Sequence, residues 1–216
     1  MIRLGKRQSL PIIQMESFGA YLGEPSQKVL LPKKQLPPNA KIGDVIDVFV
    51  YKDSEDRLIS TVREAKVELG QIGILQVKQV TKIGAFLDWG LEKDLLLPFS
   101  SQTEKVEEGL FYPVALYEDK SGRLAATMWI DRYLKATELN ERTKEKALIR
   151  MRTDAENVYV QLVRMGGATD YDDKADPERI KKDFGLSKNA FKKAVGILYK
   201  AGRVVIKDGA IEVAEA

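Results

Sequence analysis

The chain has 216 residues and a formal net charge of +3, with 44% apolar and 31% charged residues and with neither cysteine nor histidine. Such a length accommodates one to three compact domains. The missing cysteines exclude disulfides and thiolate metal sites. The missing histidines remove the commonest general base, the commonest metal ligand and every Ser–His or Cys–His nucleophilic pair. No apolar run approaches the roughly 18 residues of a membrane span, and Pro11 interrupts the mixed N-terminal stretch where a secretory signal would need an apolar core. A cytoplasmic protein without catalytic residues, cofactor or metal is therefore expected.

The first two thirds of the chain repeat themselves. Phe18-Gly19-Ala20-Tyr21-Leu22 recurs as Ile83-Gly84-Ala85-Phe86-Leu87, 65 positions later, and Leu30-Leu31-Pro32 recurs as Leu96-Leu97-Pro98, 66 positions later. At the same offset Gly43 meets Gly109, Tyr51 meets Tyr117, Asp53 meets Asp119, and Arg57-Leu58 meets Arg123-Leu124. A constant offset over this length implies two copies of one small domain.

Within the first copy, Leu10–Phe18, Tyr21-Leu22, Val29–Leu31, Asp44–Tyr51 and Arg57–Arg63 read as short strands, separated by turns at Gly23–Ser26 and Asp53–Asp56. The second copy retraces them at Ile72–Val80, Ala85–Trp89, Asp94–Leu97, Phe111–Tyr117 and Arg123–Trp129. Five short strands in about 65 residues suit a small barrel. Trp89 and Trp129 are expected to pack.

After Asp131 the alternation stops. Tyr133–Arg150 carries mixed charges at helical spacing, with Leu134, Leu139 and Leu148 as sparse apolar points, and reads as a connecting helix or a pair of short ones. Ala155, Val158, Tyr159, Leu162 and Met165 form the stripe of a further helix, which Gly166-Gly167 ends. Asp176-Pro177-Glu178 starts another, and Ser187 caps a third whose apolar face is Phe191, Ala194, Val195 and Leu198. Val204–Ile206, Asp208-Gly209 and Ile211–Val213 then read as a hairpin. Three helices followed by a hairpin is the order of a winged helix. The expected fold is thus α+β: two five-stranded oligonucleotide-binding-type β-barrels (1–65 and 66–131), a helical linker (132–150) and a winged-helix domain (151–216).

The charge distribution separates these parts. Lys+Arg minus Asp+Glu is 10 − 8 in the first repeat and 7 − 10 in the second. From Arg179 to Lys207 there are nine cations and one acid, Asp183, whereas Met165–Glu178 has five acids against Lys174. The acids Asp170, Asp172 and Asp173 read as a loop rather than as a metal site.

Phe-Gly-Ala-Tyr, a turn, Leu-Leu-Pro, and a closing Arg-Leu strand resemble the S-one RNA-binding repeat of the ribosomal small subunit, an oligonucleotide-binding barrel. In that family the aromatic before Gly and the aromatic after Ala stack on bases. The resemblance therefore assigns Phe18 and Tyr21 to RNA binding in the first repeat and Phe86 in the second, where Ile83 replaces the other ring. The histidine that often follows the third strand is replaced by Pro32 and Pro98, followed by Lys33 and Phe99. Tandem barrels followed by the winged helix, with Ser187–Ala194 and Leu198–Arg203, resemble the conserved virulence factor B family of Gram-positive bacteria. That family has three barrels before the winged helix, so this chain resembles a shortened member lacking one.

The resemblance implies a non-catalytic RNA-binding regulator of gene expression, including virulence factors. Lys33, Lys34 and Lys82 join the rings on the barrels, and Lys188, Lys192, Lys193, Lys200, Arg203 and Lys207 form a basic face on the winged helix. Single-stranded RNA is the expected partner. Duplex DNA bound through the winged helix is the alternative, and a protein partner for the barrels is a third reading. Asn189 alone on the third helix offers an amide for adenine, and no arginine there grips guanine.

Overall fold

The structure is a computed structural model that describes residues 1–53, 55–171, 175–207 and 209–214. Backbone packing divides the chain into two units, Met1–Lys105 with Val114–Tyr133, and Val106–Pro113 with Leu134–Ala216.

The first unit holds barrel 1 and all of barrel 2 except its segment Val106–Pro113, which includes the start of its fourth strand. In barrel 1, β1 (Arg7–Glu16), β2 (Gly19–Glu24), β3 (Gln27–Pro32), β4 (Val45–Lys52) and β5 (Leu58–Thr61) close in the order β1-β2-β3-β5-β4. Closure comes from the parallel pairing of Leu30 with Ile59. Barrel 2 repeats the plan with β6 (Ile72–Val80), β7 (Gly84–Asp88), β8 (Leu95–Pro98), β9 (Phe111–Glu118) and β10 (Leu124–Thr127), ordered β10-β9-β6-β7-β8. The turn Asp53–Asp56 is as expected on its described residues; Ser54 lies outside them.

The repeat is a repeat of core and register. Val29, Leu31, Val48 and Val50 are buried in barrel 1, and the residues 66 positions on, Leu95, Leu97, Val114 and Leu116, are buried in barrel 2. Gly19 pairs with Pro32, and Gly84 with Pro98. A Cβ on Gly19 would lie 2.2 Å from the Leu31 carbonyl oxygen, and one on Gly84 2.3 Å from that of Leu97. Both glycines are therefore required by the close approach of the second and third strands.

The barrels are joined tightly. Gly5 donates to the Val50 carbonyl and accepts from the Leu69 amide, both at 2.8 Å. Trp89 is 3% exposed and meets Phe49 and Tyr51 edge-on, with centroids 5.7 and 6.2 Å away, while its indole N–H donates to the Lys93 carbonyl. Trp89 thus packs as expected. Trp129 does not: it is 57% exposed. It lies just beyond the end of β10, past the last inward-facing position.

In the second unit the expected linker and first helix are one helix, α1 (Leu139–Arg164). No Gly or Pro interrupts these 26 residues, so nothing breaks the backbone ladder where the apolar stripe fades. Leu139 and Leu148 are exposed, and burial along α1 begins only at Thr153, Ala155, Val158 and Leu162. α2 (Pro177–Phe184) starts as expected, with Asp176 accepting from the Glu178 amide and Pro177 in the first turn. Gly185 in the left-handed region, with φ 68°, ends it. Ser187 caps α3 (Lys188–Lys200) by accepting from the Ala190 amide at 3.3 Å.

The hairpin is β12 (Val204–Lys207) with β13 (Ala210–Val213); Asp208 of its turn lies outside the described residues. A two-residue strand, β11 (Ala168–Thr169), pairs with β13 and makes the wing three-stranded in the order β11-β13-β12. Sequence periodicity does not reveal so short a strand. The core gathers Leu162, Tyr171, Ile180, Phe191, Leu198 and Ile211. Tyr171 is fully buried, and its hydroxyl bonds the Asp183 carboxylate.

Candidate nucleic-acid interface

The outer face of barrel 1 is built by alternation along β2. Ala20 and Leu22 point into the core, so Tyr21 points outward. Phe18, in the β1–β2 turn, is 53% exposed and stands edge-on to Tyr21 with ring centroids 6.4 Å apart. The Phe18 carbonyl accepts from the Lys33 amide at 2.9 Å, which holds the Lys33 backbone beside that of Phe18. The structure thus brings together Phe18, Tyr21 and Lys33.

It adds a residue that sequence reasoning missed. Lys28, on β3, holds its ammonium 4.2 Å from the Tyr21 ring centroid and donates to Gln14 Oε1 at 2.9 Å. The signal was available: Lys28 lies opposite Gly23 on the adjoining strand, two residues from the pairing of Tyr21 with Leu30. Phe18 is the open ring, and the Lys28 ammonium covers Tyr21. Lys34 points elsewhere. It pairs with Glu92 at 2.7 Å, and Arg63 reaches the same carboxylate at 3.3 Å. The Lys34 hydrogen bond holds the Glu92 carboxyl below the usual range.

The equivalent face of barrel 2 keeps Gln79 and Leu96 in the places of Gln14 and Leu30 but differs at three outward positions. Ile83 stands for Phe18, Phe86 for Tyr21, and Asp94 for Lys28. Asp94 is paired with Lys78 at 2.8 Å. Phe86 lines a cleft of about 240 Å³ between the barrels, shared with Tyr51, Asp56, Trp89, Lys93 and Arg123. Lys82 is exposed in the β6–β7 turn.

On the winged helix the nine cations divide. Lys188 donates to the Ala175 carbonyl at 2.9 Å, securing the start of α2. Arg203 binds Glu156 at 2.6 Å and lies 4.0 Å from the Tyr159 ring centroid, clamping the wing onto α1. Arg179 bonds Asp170 through two nitrogens and covers Tyr171. Lys207 sits 3.6 Å from Glu212 across the hairpin. Asp170 is therefore bound within the domain, while Asp172 and Asp173 lie outside the described residues. Asn189, Lys192, Lys193, Gly196, Tyr199 and Lys200 share the outward face of α3 at helical spacing. Lys193 and Lys200 have no ion-pair partner among the described residues.

An aromatic pair with cations on an oligonucleotide-type barrel, given twice in core but once in surface, is the geometry on which the comparisons bear. The S1 domain family model matches residues 4–63 and 69–129, and the CvfB-like winged helix domain model matches 156–213. The chain belongs to the S1 domain family, in the branch that carries a CvfB-like winged helix. Both families are nucleic-acid-binding domain types rather than enzyme families.

Among relatives, Conserved virulence factor B of Staphylococcus saprophyticus is 26% identical over 97% of this chain and 71% of its own length. The protein YitL of Bacillus subtilis is 23% identical over 96% of this chain and 93% of its own. That alignment runs over 276 positions against the 216 residues here, so at least 60 positions are gaps in this S1-family chain, about the length of one barrel. A crystal structure from Streptococcus pneumoniae, described as a multidomain protein with nucleic acid binding domains, shares the fold with TM-score 0.50 at 20% identity, covering 97% of this chain and 98% of its own. Among the described residues no helix is long and apolar enough to cross a membrane.

Proposed function

We propose that the protein binds single-stranded RNA without catalysis and acts as a post-transcriptional regulator of gene expression in a Gram-positive bacterium, with barrel 1 as the reader. The observation that carries this reading is the open Phe18 ring beside Tyr21, flanked by Lys28 and Lys33. Stacking offers every base a partner, and the two ammonium groups meet the backbone that the stacked bases bring with them. The α3 face with Lys192, Lys193 and Lys200 adds phosphate contacts with little sequence preference. The names of the relatives favour a role in virulence-factor expression.

The test is binding of labelled single-stranded RNA, single-stranded DNA and duplex DNA at two salt concentrations. Phe18→Ala with Tyr21→Ala is expected to weaken RNA binding by about 1–3 kcal/mol per lost stack while the barrel stays folded. RNA affinity equal to the parent would remove barrel 1 as the reader. Tighter binding to duplex DNA, lost on changing α3 alone, would instead support the winged helix as a DNA reader.

A further inference from the structure

Barrel 2 has lost the ring-and-lysine face of barrel 1, yet it leaves other rings in the open. Gly84 pairs with Pro98, so the residues flanking that pair, Ile83 and Phe99, come together at one end of the barrel. Phe18 and Lys33 occupy these places in barrel 1, joined there by a backbone hydrogen bond. Trp129 joins the group. The Met128 amide donates to the Ser101 carbonyl at 2.8 Å, and the Trp129 indole N–H reaches the Ser100 carbonyl at 3.5 Å. Ile83, Phe99 and Trp129 are 61%, 52% and 57% exposed. Among the described residues neither ring packs against another ring.

We propose that Phe99 and Trp129 form a second stacking platform for single-stranded nucleic acid, at the end of barrel 2 that corresponds to the place of Phe18 and Lys33 in barrel 1. The proposal rests on the RNA-binding reading of barrel 1. Two substitutions between the repeats carry it. Lys33 of barrel 1 corresponds to Phe99, and Arg63 corresponds to Trp129. Two cations have thus become two rings at the same end of the same fold. A strand crossing barrel 1 meets charge there, and one crossing barrel 2 meets π-faces. The usual face of barrel 2 meanwhile carries an acid in place of a cation. Asp94 stands where Lys28 stands, and Phe86 lines the inter-barrel cleft. Lys82, exposed next to Ile83, supplies a cation at the edge of the new platform. Base stacking tolerates any sequence, so two open rings offer a platform that any single strand can use.

The two tryptophans make the test direct, because Trp89 is buried and Trp129 is open. An oligouridylate of about twelve nucleotides is titrated against the full chain, with binding followed both by anisotropy of a labelled oligomer and by tryptophan emission. The expected result is quenching that disappears in Trp129→Leu. Phe99→Leu with Trp129→Leu keeps the patch apolar but removes the π-faces, and is expected to weaken binding about 5- to 160-fold per lost stack. Parent affinity by anisotropy in the double leucine variant, with parent emission unmoved by RNA, overturns the platform and leaves the barrel 1 reading standing. No binding of the oligomer by the parent overturns both. Circular dichroism of the leucine variant confirms that the barrel is intact.

Discussion

The winged-helix cations give the sharpest separation between fold and function, because charge alone does not distinguish them. Lys193 and Lys200 extend from the outward face of α3 without an ion-pair partner among the described residues, whereas Arg203 is held by Glu156 at 2.6 Å and by the Tyr159 ring at 4.0 Å. Each phosphate contact on a single strand contributes about 0.7 to the slope of log affinity against log salt. Replacing Lys193 and Lys200 by Gln should flatten that slope by about 1.4 and leave the melting temperature unchanged. Arg203→Gln should do the opposite. It removes a cation–π contact worth about 0.5–2 kcal/mol and a partly exposed ion pair worth about 0.2–1 kcal/mol. The summed loss is about 0.7–3 kcal/mol, and each kcal/mol lowers the melting temperature of a domain this small by roughly 4–8 °C. The assay is RNA binding at four or more salt concentrations beside a thermal melt. An Arg203→Gln variant that melts like the parent but flattens the salt slope would refute the division of the basic face.

Tyr171 should set an alkaline limit on the second unit. Burial, then the hydrogen bond to Asp183, pushes its phenol from 10.0 up to about 12. The unfolded chain releases this proton near pH 10 and the folded chain holds it, so the stabilisation is intact below pH 10 and is lost as pH rises towards 12. The full loss is about 3 kcal/mol. Tyr171→Phe should flatten the stability–pH curve in that window; an unchanged curve would show that another group unfolds the domain. Gly196 stands mid-helix on the outward face of α3, and a Cβ there would meet nothing within 4 Å. Gly196→Ala should therefore raise stability by about 1 kcal/mol in urea unfolding while weakening RNA binding, since the added methyl group stands off a backbone approaching between Lys193 and Lys200. Unchanged stability would show that the glycine is already compensated within the helix.

The barrels were legible because their signal is a core signal repeated. Positions such as Leu31 and Leu97, or Val48 and Val114, are read by the same alternation and the same offset, and packing leaves them little freedom. The caps of α2 and α3 were legible for a local reason: Asp176 and Ser187 accept from amides two and three residues on, and Pro177 sits in the first turn of α2. What sequence reading missed lies on surfaces and in long-range choices. α1 was divided in two because its apolar stripe fades before Thr153, yet helix continuity depends on the absence of breakers rather than on burial. Lys188 and Arg203 were grouped with the other cations because one-dimensional charge counts carry no information about a carbonyl 13 residues back or a carboxylate 47 residues back.

The same limit explains the two tryptophans, which look alike in sequence. Trp89 aligns with the exposed Glu24 of barrel 1, so its bulk has no counterpart inside the repeat and goes into the joint with Phe49 and Tyr51. Trp129 aligns with Arg63, an outward position in a barrel whose core is already full, so the ring stays outside. A duplicated fold constrains the positions that must pack identically and releases the others. Departures between the copies at outward positions are therefore the places where sequence comparison within one chain points to function: Lys28 against Asp94, Lys33 against Phe99, and Arg63 against Trp129. All three exchange a cation for a residue that cannot grip phosphate. Together they put an acid and two open rings on the second barrel where the first has cations, which is the arrangement that the proposed stacking platform uses.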